Sequence, residues 1–147
     1  MKFIKGDITL ETTEVILQGV NTSGIAQNSG LAKAIRARWP EVYEYYKANG
    51  SGKDLLGSLH ILDINDDLKI INGYTQERYG YDGAAYADLQ SVESVIRKAC
   101  LYCHLYDKQL KTVKIGCGLG GLDWNSVGPL FEKYEALYGI DVQIFGL

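Results

Sequence analysis

Val-Lys-Ile-Gly-Cys-Gly-Leu-Gly-Gly-Leu-Asp-Trp, residues 113–124, is the stretch that decides the expected fold. It opens with β-forming residues, passes through four glycines within residues 116–121, and ends where a helix can begin. Glycine adopts positive φ at little steric cost and lets a ligand approach the backbone closely. A glycine-rich loop between a strand and a helix therefore suggests N–H groups that turn toward one anion, beside the positive end of a helix dipole. A glycine-rich turn without a ligand is the alternative, and this stretch alone does not decide between the two.

Length and composition favour an ordinary single domain that covers residues 1–147. The hydrophobic fraction of 46% is that of a soluble globular protein. No apolar run approaches the roughly 20 residues that a membrane-spanning helix needs. Residues 1–10 also lack the long apolar core of a signal peptide. We therefore expect a cytoplasmic protein with no membrane partner.

Charge and cysteine content exclude several kinds of site. The net charge is −3 and no basic cluster appears, which argues against a direct nucleic-acid-binding surface. A small phosphorylated ligand is still compatible, because backbone N–H groups bind phosphate without lysine. Cys100 and Cys103 fall within a helical pattern and are expected to face the core, while Cys117 is expected to be a small loop residue. With no second cysteine pair or histidine cluster, we expect no metal and no cofactor.

Strands and helices alternate along most of the chain. The patterns predict strands at residues 2–5, 15–20, 59–64, 68–72, 111–115 and 141–145. They predict helices at about 30–39, 40–49, 86–106 and 124–138. Residues 65–67 should join the third and fourth strands as a hairpin. This order predicts a three-layer α/β/α fold with a mixed, mostly parallel six-stranded sheet.

Ligands of such sheets bind beyond the carboxyl ends of the strands. Four polar or glycine-rich segments should meet there: Asp7 and residues 21–31, 76–82 and 116–123. Two of the four lead into helix N-termini. A cleft flanked by two such loops suits a ligand with two linked phosphates.

Several short motifs together resemble the macrodomain family. These are Gly6-Asp7-Ile8, the loop from Asn21 that closes on Gly30-Leu31-Ala32, and the glycine loop with Trp124. The order of elements matches over essentially the whole chain. More narrowly, the sequence is similar to the compact branch that contains ADP-ribose 1″-phosphate phosphatases and the terminal ADP-ribose protein glycohydrolase. The resemblance implies ADP-ribose or an ADP-ribose derivative as the ligand, and we expect a monomer.

The resemblance also implies individual ligand contacts. Asp7 would accept a hydrogen bond from the adenine amine, beside the backbone of Ile8, although an aspartate at a strand end can equally be a turn residue. Asn21 would contact the distal ribose or, alternatively, form an Asx-turn. One side of the pyrophosphate would be bound by Asn28, Ser29, Gly30 and Leu31. The other phosphate and the distal ribose would be bound by Gly116, Cys117, Gly118, Leu119, Gly120 and Gly121, with Tyr79 near the ligand.

The catalytic residues depart from the glycohydrolase pattern. That branch uses a lysine after the fourth strand and an aspartate in the second glycine loop, and Gln76 and Gly120 stand at those places. A lysine could form a covalent adduct with the opened sugar, which glutamine cannot do. Asp123 is a candidate acid or base, although a helix N-cap is the stronger interpretation. Asp82 is a second candidate, with a surface aspartate as its alternative.

Removal of a phosphate from an anomeric carbon demands less of the protein. Neighbouring hydroxyls, a positioned water and preorganised N–H groups can supply the chemistry. The first hypothesis is therefore a hydrolase of ADP-ribose 1″-phosphate that uses Asn21, Gln76 and the two phosphate loops. The second is a glycohydrolase that removes ADP-ribose from protein or nucleic acid. The third is a non-catalytic ADP-ribose binder, and the fourth is a related fold with an unrelated ligand.

Overall fold

The computed structural model describes residues 1–24, 30–78, 86–118 and 120–146. The strands are β1 (Lys2–Lys5), β2 (Glu14–Asn21), β3 (Leu59–Asp63), β4 (Leu68–Gln76), β5 (Leu110–Thr112) and β6 (Val142–Gly146). The helices are α1 (Gly30–Arg38), α2 (Pro40–Asn49), α3 (Leu89–Leu105) and α4 (Trp124–Tyr138). Two short 3₁₀ turns, Ile8–Leu10 and Lys53–Leu55, were not predicted from the sequence.

The strands form one mixed sheet in the order β1-β6-β5-β2-β4-β3. All neighbouring pairs are parallel except β3 and β4, which form the predicted antiparallel hairpin. The carboxyl ends of β1, β2, β4, β5 and β6 therefore lie at the same edge of the sheet. The described residues that follow β1, β2, β4 and β5 therefore lie at this end of the sheet.

Alternating side chains of the strands divide the core into two layers. Val15 and Leu17 of β2 pack with residues of α3 and α4 on one face, whereas Ile16 packs on the other face with Ile35 of α1 and Val42 of α2. A strand turns successive side chains to opposite faces, so each face of β2 covers its own helix pair. The three-layer α/β/α prediction is confirmed.

The largest differences from the predicted strand bounds are at the ends of β4 and β5, and both shape the site. β4 continues to Gln76 because its parallel pairing with β2 persists to the pair formed by Asn21 and Gln76, beyond a register shift at residues 20–21. β5 ends early at Thr112, and the chain turns where the N–H of Ile115 donates to the carbonyl of Val113. The chain therefore leaves the sheet after Thr112, earlier than the predicted strand end at residue 115.

The two helix cysteines are buried, as predicted. Cys100 and Cys103 have no exposed surface on the inner face of α3, and burial raises the pKa of the Cys100 thiol to about 12. Burial also raises the pKa of Cys103.

None of the described helices is long and apolar enough to cross a membrane. Within the described ranges, no group of three or more His, Cys, Asp or Glu side chains could hold a metal ion.

The buried thiol of Cys100 should make the fold sensitive to alkaline pH. At pH 7 both the folded and the unfolded chain keep this proton, so nothing is lost there. Above about pH 8.5 the unfolded thiol ionises while the folded one does not, so the free energy of unfolding falls as pH rises. Relative to Cys100→Ala, the wild-type chain should lose about 2 kcal/mol more between pH 7 and pH 10. Urea titrations at the two pH values measure this difference, and equal losses would contradict it.

Candidate functional site

A cavity of about 230 Å³ lies at the carboxyl ends of β2, β4 and β5. Its walls come from the end of β2, the start of α1, the end of β4 and the glycine loop. Residues of this central cavity include Gln18, Gly30, Leu31, Gln76, Gly116 and Gly118. Gly30 and Leu31 of one loop that the sequence assigned to a diphosphate therefore border the same cavity as the glycine loop.

Among the described residues, the glycine loop has unpaired main-chain donors on residues that line this central cavity. Within the loop, the N–H groups of Cys117, Gly121 and Leu122 donate to loop carbonyls at 2.9–3.1 Å. The N–H groups of Gly116, Gly118 and Gly120 have no acceptor among the described residues, and all three residues line the cavity. Gly116 has φ of 76°, which favours glycine at the turn. Three of the described loop amides are thus used to build the loop, and three others are available to an anion.

Gly120 and Gly118 have different structural roles. A Cβ on Gly120 would lie 2.6 Å from the carbonyl oxygen of Gly116, so no side chain fits there. The Gly120 carbonyl also accepts hydrogen bonds from the N–H groups of Tyr86 and Ala87, at 2.8 and 2.9 Å. By contrast, a Cβ on Gly118 would meet nothing within 4 Å. Gly120 therefore joins the loop by hydrogen bonds to the segment before α3, while Gly118 borders open space in the cavity.

The opposite wall of the central cavity is the start of α1. Gly30, Leu31 and Ala32 line it, and the first N–H groups of an α-helix have no partner within the helix. These donors and the helix dipole favour a negative group at this point. Asn28 and Ser29, which were assigned to the same wall, lie outside the described residues.

Asn21 forms the Asx-turn that the sequence offered as its alternative role. Its Oδ1 accepts a hydrogen bond from the N–H of Ser23 at 3.0 Å and from the hydroxyl of Tyr46 at 2.6 Å. The Tyr46 hydroxyl also contacts the backbone oxygen of Asn21, at 2.8 Å. Asn21 is 2% exposed and lines a small cavity next to the central one. Tyr46, on α2, was not identified from the sequence, because nothing in the pattern links it to β2.

Tyr46→Phe should destabilise the fold by about 1–2 kcal/mol, because it removes a buried donor from two oxygens of Asn21. Tyr45→Phe is the matched control on the same helix, since Tyr45 is 39% exposed and should change stability by less than about 0.5 kcal/mol. Urea denaturation of both variants measures the difference. Equal stability of the two variants would show that the Tyr46 hydroxyl does not stabilise the end of β2.

Gln76 lies at the end of β4 and borders the central cavity. The side chain is 6% exposed, and its Nε2 donates to the backbone oxygen of Arg78 at 2.6 Å. Its Oε1 accepts no hydrogen bond from a described residue. Gln76 therefore supplies a fixed amide whose oxygen can hold a water or a ligand hydroxyl.

Two of the carboxylates proposed from the sequence, Asp7 and Asp123, do not line the central cavity. Asp7 caps the first 3₁₀ turn, and its Oδ1 accepts from the N–H and the hydroxyl of Thr9, which lower the pKa of Asp7. Ile8 beside it is 3% exposed and packs in the core. Asp123 caps α4 through a 2.9 Å bond from the N–H of Asn125, which is the N-cap role that the sequence favoured. The remaining candidates, Tyr79, Asp82 and Leu119, lie outside the described residues.

A second and larger cavity continues the cleft toward the outer strand β1. This edge cavity, of about 710 Å³, lies at the ends of β1, β5 and β6 and shares Val113, Lys114 and Gly118 with the central cavity. Cys117 lines it, and burial raises the pKa of its thiol while the charge of Lys114 partly opposes that effect. From β1 to β4 the sheet crosses four interstrand spacings, or about 19 Å. The cleft can therefore hold an extended ligand.

The charged side chains that line the two cavities are all positive among the described residues. Lys5 and Lys114 line the cavities, and among their described lining residues none is acidic, although the whole chain carries a net charge of −3. Neither lysine was predicted from the sequence, because two isolated basic residues make no cluster along the chain. Gln18 was not predicted either; its Nε2 donates to Oδ1 of Asn72 at 2.7 Å, and its buried Oε1 has no partner among the described residues.

No protein-family model matches the chain. The chain superposes on the macrodomain of Mycobacterium tuberculosis DarG with a TM-score of 0.81 and 22% sequence identity, and the match covers 99% of this chain and 97% of that one. This chain has the macrodomain fold. Thermosipho africanus DarTG in complex with ADP-ribose gives a TM-score of 0.78 at 24% identity, over 98% of this macrodomain and 41% of that chain.

Curated proteins of related sequence are longer than this macrodomain. It is 28% identical over 148 residues to the DNA ADP-ribosyl glycohydrolase of Mycobacterium tuberculosis (strain ATCC 25618 / H37Rv). It is 25% identical over 165 residues to the DNA ADP-ribosyl transferase-DNA ADP-ribosyl glycohydrolase fusion protein of Thermosipho africanus (strain H17ap60334). These matches cover 95% and 99% of the macrodomain but 40% and 41% of the two proteins. The macrodomain thus spans about two fifths of the length of the curated relatives that it matches.

Proposed function

We propose that this macrodomain binds the ADP-ribose group in its cleft, with the pyrophosphate between the start of α1 and the glycine loop. The observation that carries the proposal is the set of available N–H groups on Gly116, Gly118 and Gly120, which border the same cavity as Gly30. Main-chain donors on two segments that border one cavity suit two linked phosphates. A similar structure, that of Thermosipho africanus DarTG, contains ADP-ribose, which supports the choice of ligand.

We further propose that the macrodomain hydrolyses ADP-ribose 1″-phosphate to ADP-ribose and phosphate. Gln76 borders the end of the cleft where the distal ribose would lie, and its Oε1 is placed to accept a hydrogen bond from an attacking water. The water would bond to the anomeric carbon as the bond from that carbon to the phosphate oxygen breaks, and the departing phosphate would take the water's proton. Any N–H group of the glycine loop that the pyrophosphate does not occupy would stabilise the negative charge that develops on this phosphate. This route requires orientation and charge stabilisation, and no covalent adduct.

A second candidate is the removal of ADP-ribose from DNA or another acceptor. The curated relatives are named DNA ADP-ribosyl glycohydrolases, which favours this reaction. The glutamine at position 76 argues against a mechanism that needs a lysine adduct there. Both candidate reactions break a bond at the same anomeric carbon, so they share the ligand site and differ in the leaving group.

Product analysis separates the candidates. Isothermal calorimetry first measures ADP-ribose binding. The protein is then incubated with ADP-ribose 1″-phosphate and, separately, with an ADP-ribosylated single-stranded oligonucleotide. Phosphate release that is lost in Gly118→Glu supports the phosphatase, whereas free ADP-ribose from the oligonucleotide supports the glycohydrolase. Binding without either product leaves a non-catalytic binder, and absence of binding contradicts the whole proposal.

Gln76→Lys should create the nucleophile that this chain lacks. The side chain at position 76 is almost fully buried, and burial lowers the pKa of a lysine, so a neutral amine would be available to attack the opened sugar. Borohydride should then trap a covalent ADP-ribosyl adduct that is visible by intact mass. Gln76→Met, of similar size and without an amine, is the control. No adduct in Gln76→Lys would place the sugar carbon away from position 76.

A further inference from the structure

The edge cavity combines an apolar surface with two positive charges. Phe3, Val113 and Phe145 supply apolar surface, and Lys5 and Lys114 lie among them. Phe3 is 58% exposed at the rim and contacts the ring of Trp124 edge to face, at 6.1 Å between centroids. The edge cavity is about three times as large as the central one, at about 710 against 230 Å³.

The two cavities suit different halves of an extended dinucleotide ligand. The central cavity has the glycine loop and the start of α1, which suit phosphates. The edge cavity has the larger apolar surface, which suits a flat base and its sugar. If ADP-ribose binds as proposed above, its adenosine half therefore lies in the edge cavity. Adenosine itself is neutral, so the positive charge in this cavity calls for a separate explanation.

The two lysines are not equivalent. Lys114 lines both cavities, and its Nζ lies 5.5 Å from the centre of the Trp124 ring, so it stands where the pyrophosphate would pass from one cavity to the other. Lys5 lines only the edge cavity. No acidic side chain among the described residues forms an ion pair with Lys5, whereas Lys69 and Lys111 are paired with Asp63 and Glu11. Lys5 is therefore a cation of the edge cavity alone, without an acidic partner among the described residues.

We propose that the edge cavity accepts an ADP-ribose that carries a further phosphate on its adenosine ribose, and that Lys5 contacts this phosphate. The inference rests on the proposed binding of ADP-ribose in the cleft. It adds a ligand class, a phosphorylated adenosine half, that the diphosphate site alone does not distinguish. Lys5, at the end of the edge strand β1, would then determine specificity, while Lys114 would serve every diphosphate ligand.

Calorimetry with ADP-ribose and with ADP-ribose 2′-phosphate tests the proposal through the ratio of the two dissociation constants. The wild-type chain should bind the 2′-phosphorylated ligand about fivefold more tightly, a preference that shrinks at high salt because the lysine is exposed. Lys5→Met should bring the ratio to about one. Lys114→Met should weaken both ligands and keep the ratio.

Lys2→Met is the matched control, since Lys2 is an exposed lysine on the same strand that does not line the cavity. It should leave the ratio unchanged. A wild-type ratio near one, with ADP-ribose still bound, would overturn this inference and leave the proposed function intact. A preference that survives in Lys5→Met would overturn the role of Lys5. Binding of neither ligand would instead contradict the proposed function.

Discussion

Gly118→Glu is expected to weaken ADP-ribose binding by about 30- to 1000-fold while the fold is kept. A Cβ at position 118 would meet nothing within 4 Å, and Gly118 is not among the glycines with positive φ, so a side chain fits without backbone strain. The new carboxylate would extend into the space that both cavities share, close to the expected diphosphate. Like charges about 4 Å apart repel by roughly 2–4 kcal/mol at the effective dielectric of a protein surface, which gives that range.

The control for this prediction is Gly118→Gln, which adds nearly the same volume without the charge. Its binding loss should be at least tenfold smaller if repulsion is the cause. Calorimetry measures both affinities, and thermal denaturation verifies that the two variants remain folded. If both variants lose binding equally, the side chain blocks the cleft by its size. If neither loses binding, the diphosphate does not pass Gly118.

Gly73→Ala is expected to destabilise the fold by about 3 kcal/mol and to lower the melting temperature by roughly 10 °C. A Cβ on Gly73 of β4 would lie 2.3 Å from Cγ1 of Val95 and 3.3 Å from Cδ1 of Leu17. Val95 is fully buried on α3 and, as a β-branched residue, cannot move its methyl groups out of the way by a change of rotamer alone. The helix would have to shift away from the sheet. Gly6→Ala is the control, because a Cβ there meets nothing within 4 Å.

A double-mutant cycle identifies the cause of this loss. Val95→Ala removes the methyl group that a Cβ at position 73 would strike. Gly73→Ala should therefore cost less in the Val95→Ala background than in the wild type, with a coupling of about 1–2 kcal/mol. Chemical denaturation of the four proteins measures it. Additive effects would mean that the contact with Val95 does not cause the destabilisation.

The layers and the sheet were predictable because each element carries a local pattern. The apolar run at residues 15–20 predicted a central strand, and Pro40 marked the boundary between α1 and α2. Asp123, a favourable N-cap residue, predicted the start of α4, and it caps that helix in the structure. The end of β4 was not predictable, because residues 73–76 read as a glycine-bearing polar loop until they pair with β2. Pairing between strands distant in sequence decided that boundary.

The two walls of the site were predictable and several of its side chains were not. Gly30 and Gly118 could be predicted from residue type alone, because glycine at the end of a strand or helix indicates a loop whose backbone has a role. Tyr46 of helix α2 contacts Asn21 at the end of strand β2, and Lys5 lines the cleft from the edge strand β1. Their positions depend on the sheet order, which places β1 beside β6 and far from β2. No pattern within a short stretch of sequence contains that information.

The donors on the glycine loop have a further consequence for the conditions under which the cleft operates. A peptide N–H neither gains nor loses a proton between mildly acidic and mildly alkaline pH. Retention of a diphosphate in this cleft should therefore stay level from mildly acidic to mildly alkaline buffer. The affinity for the diphosphate should be the same in compartments that differ in pH. Any change in affinity with pH would come from ionisation of the ligand.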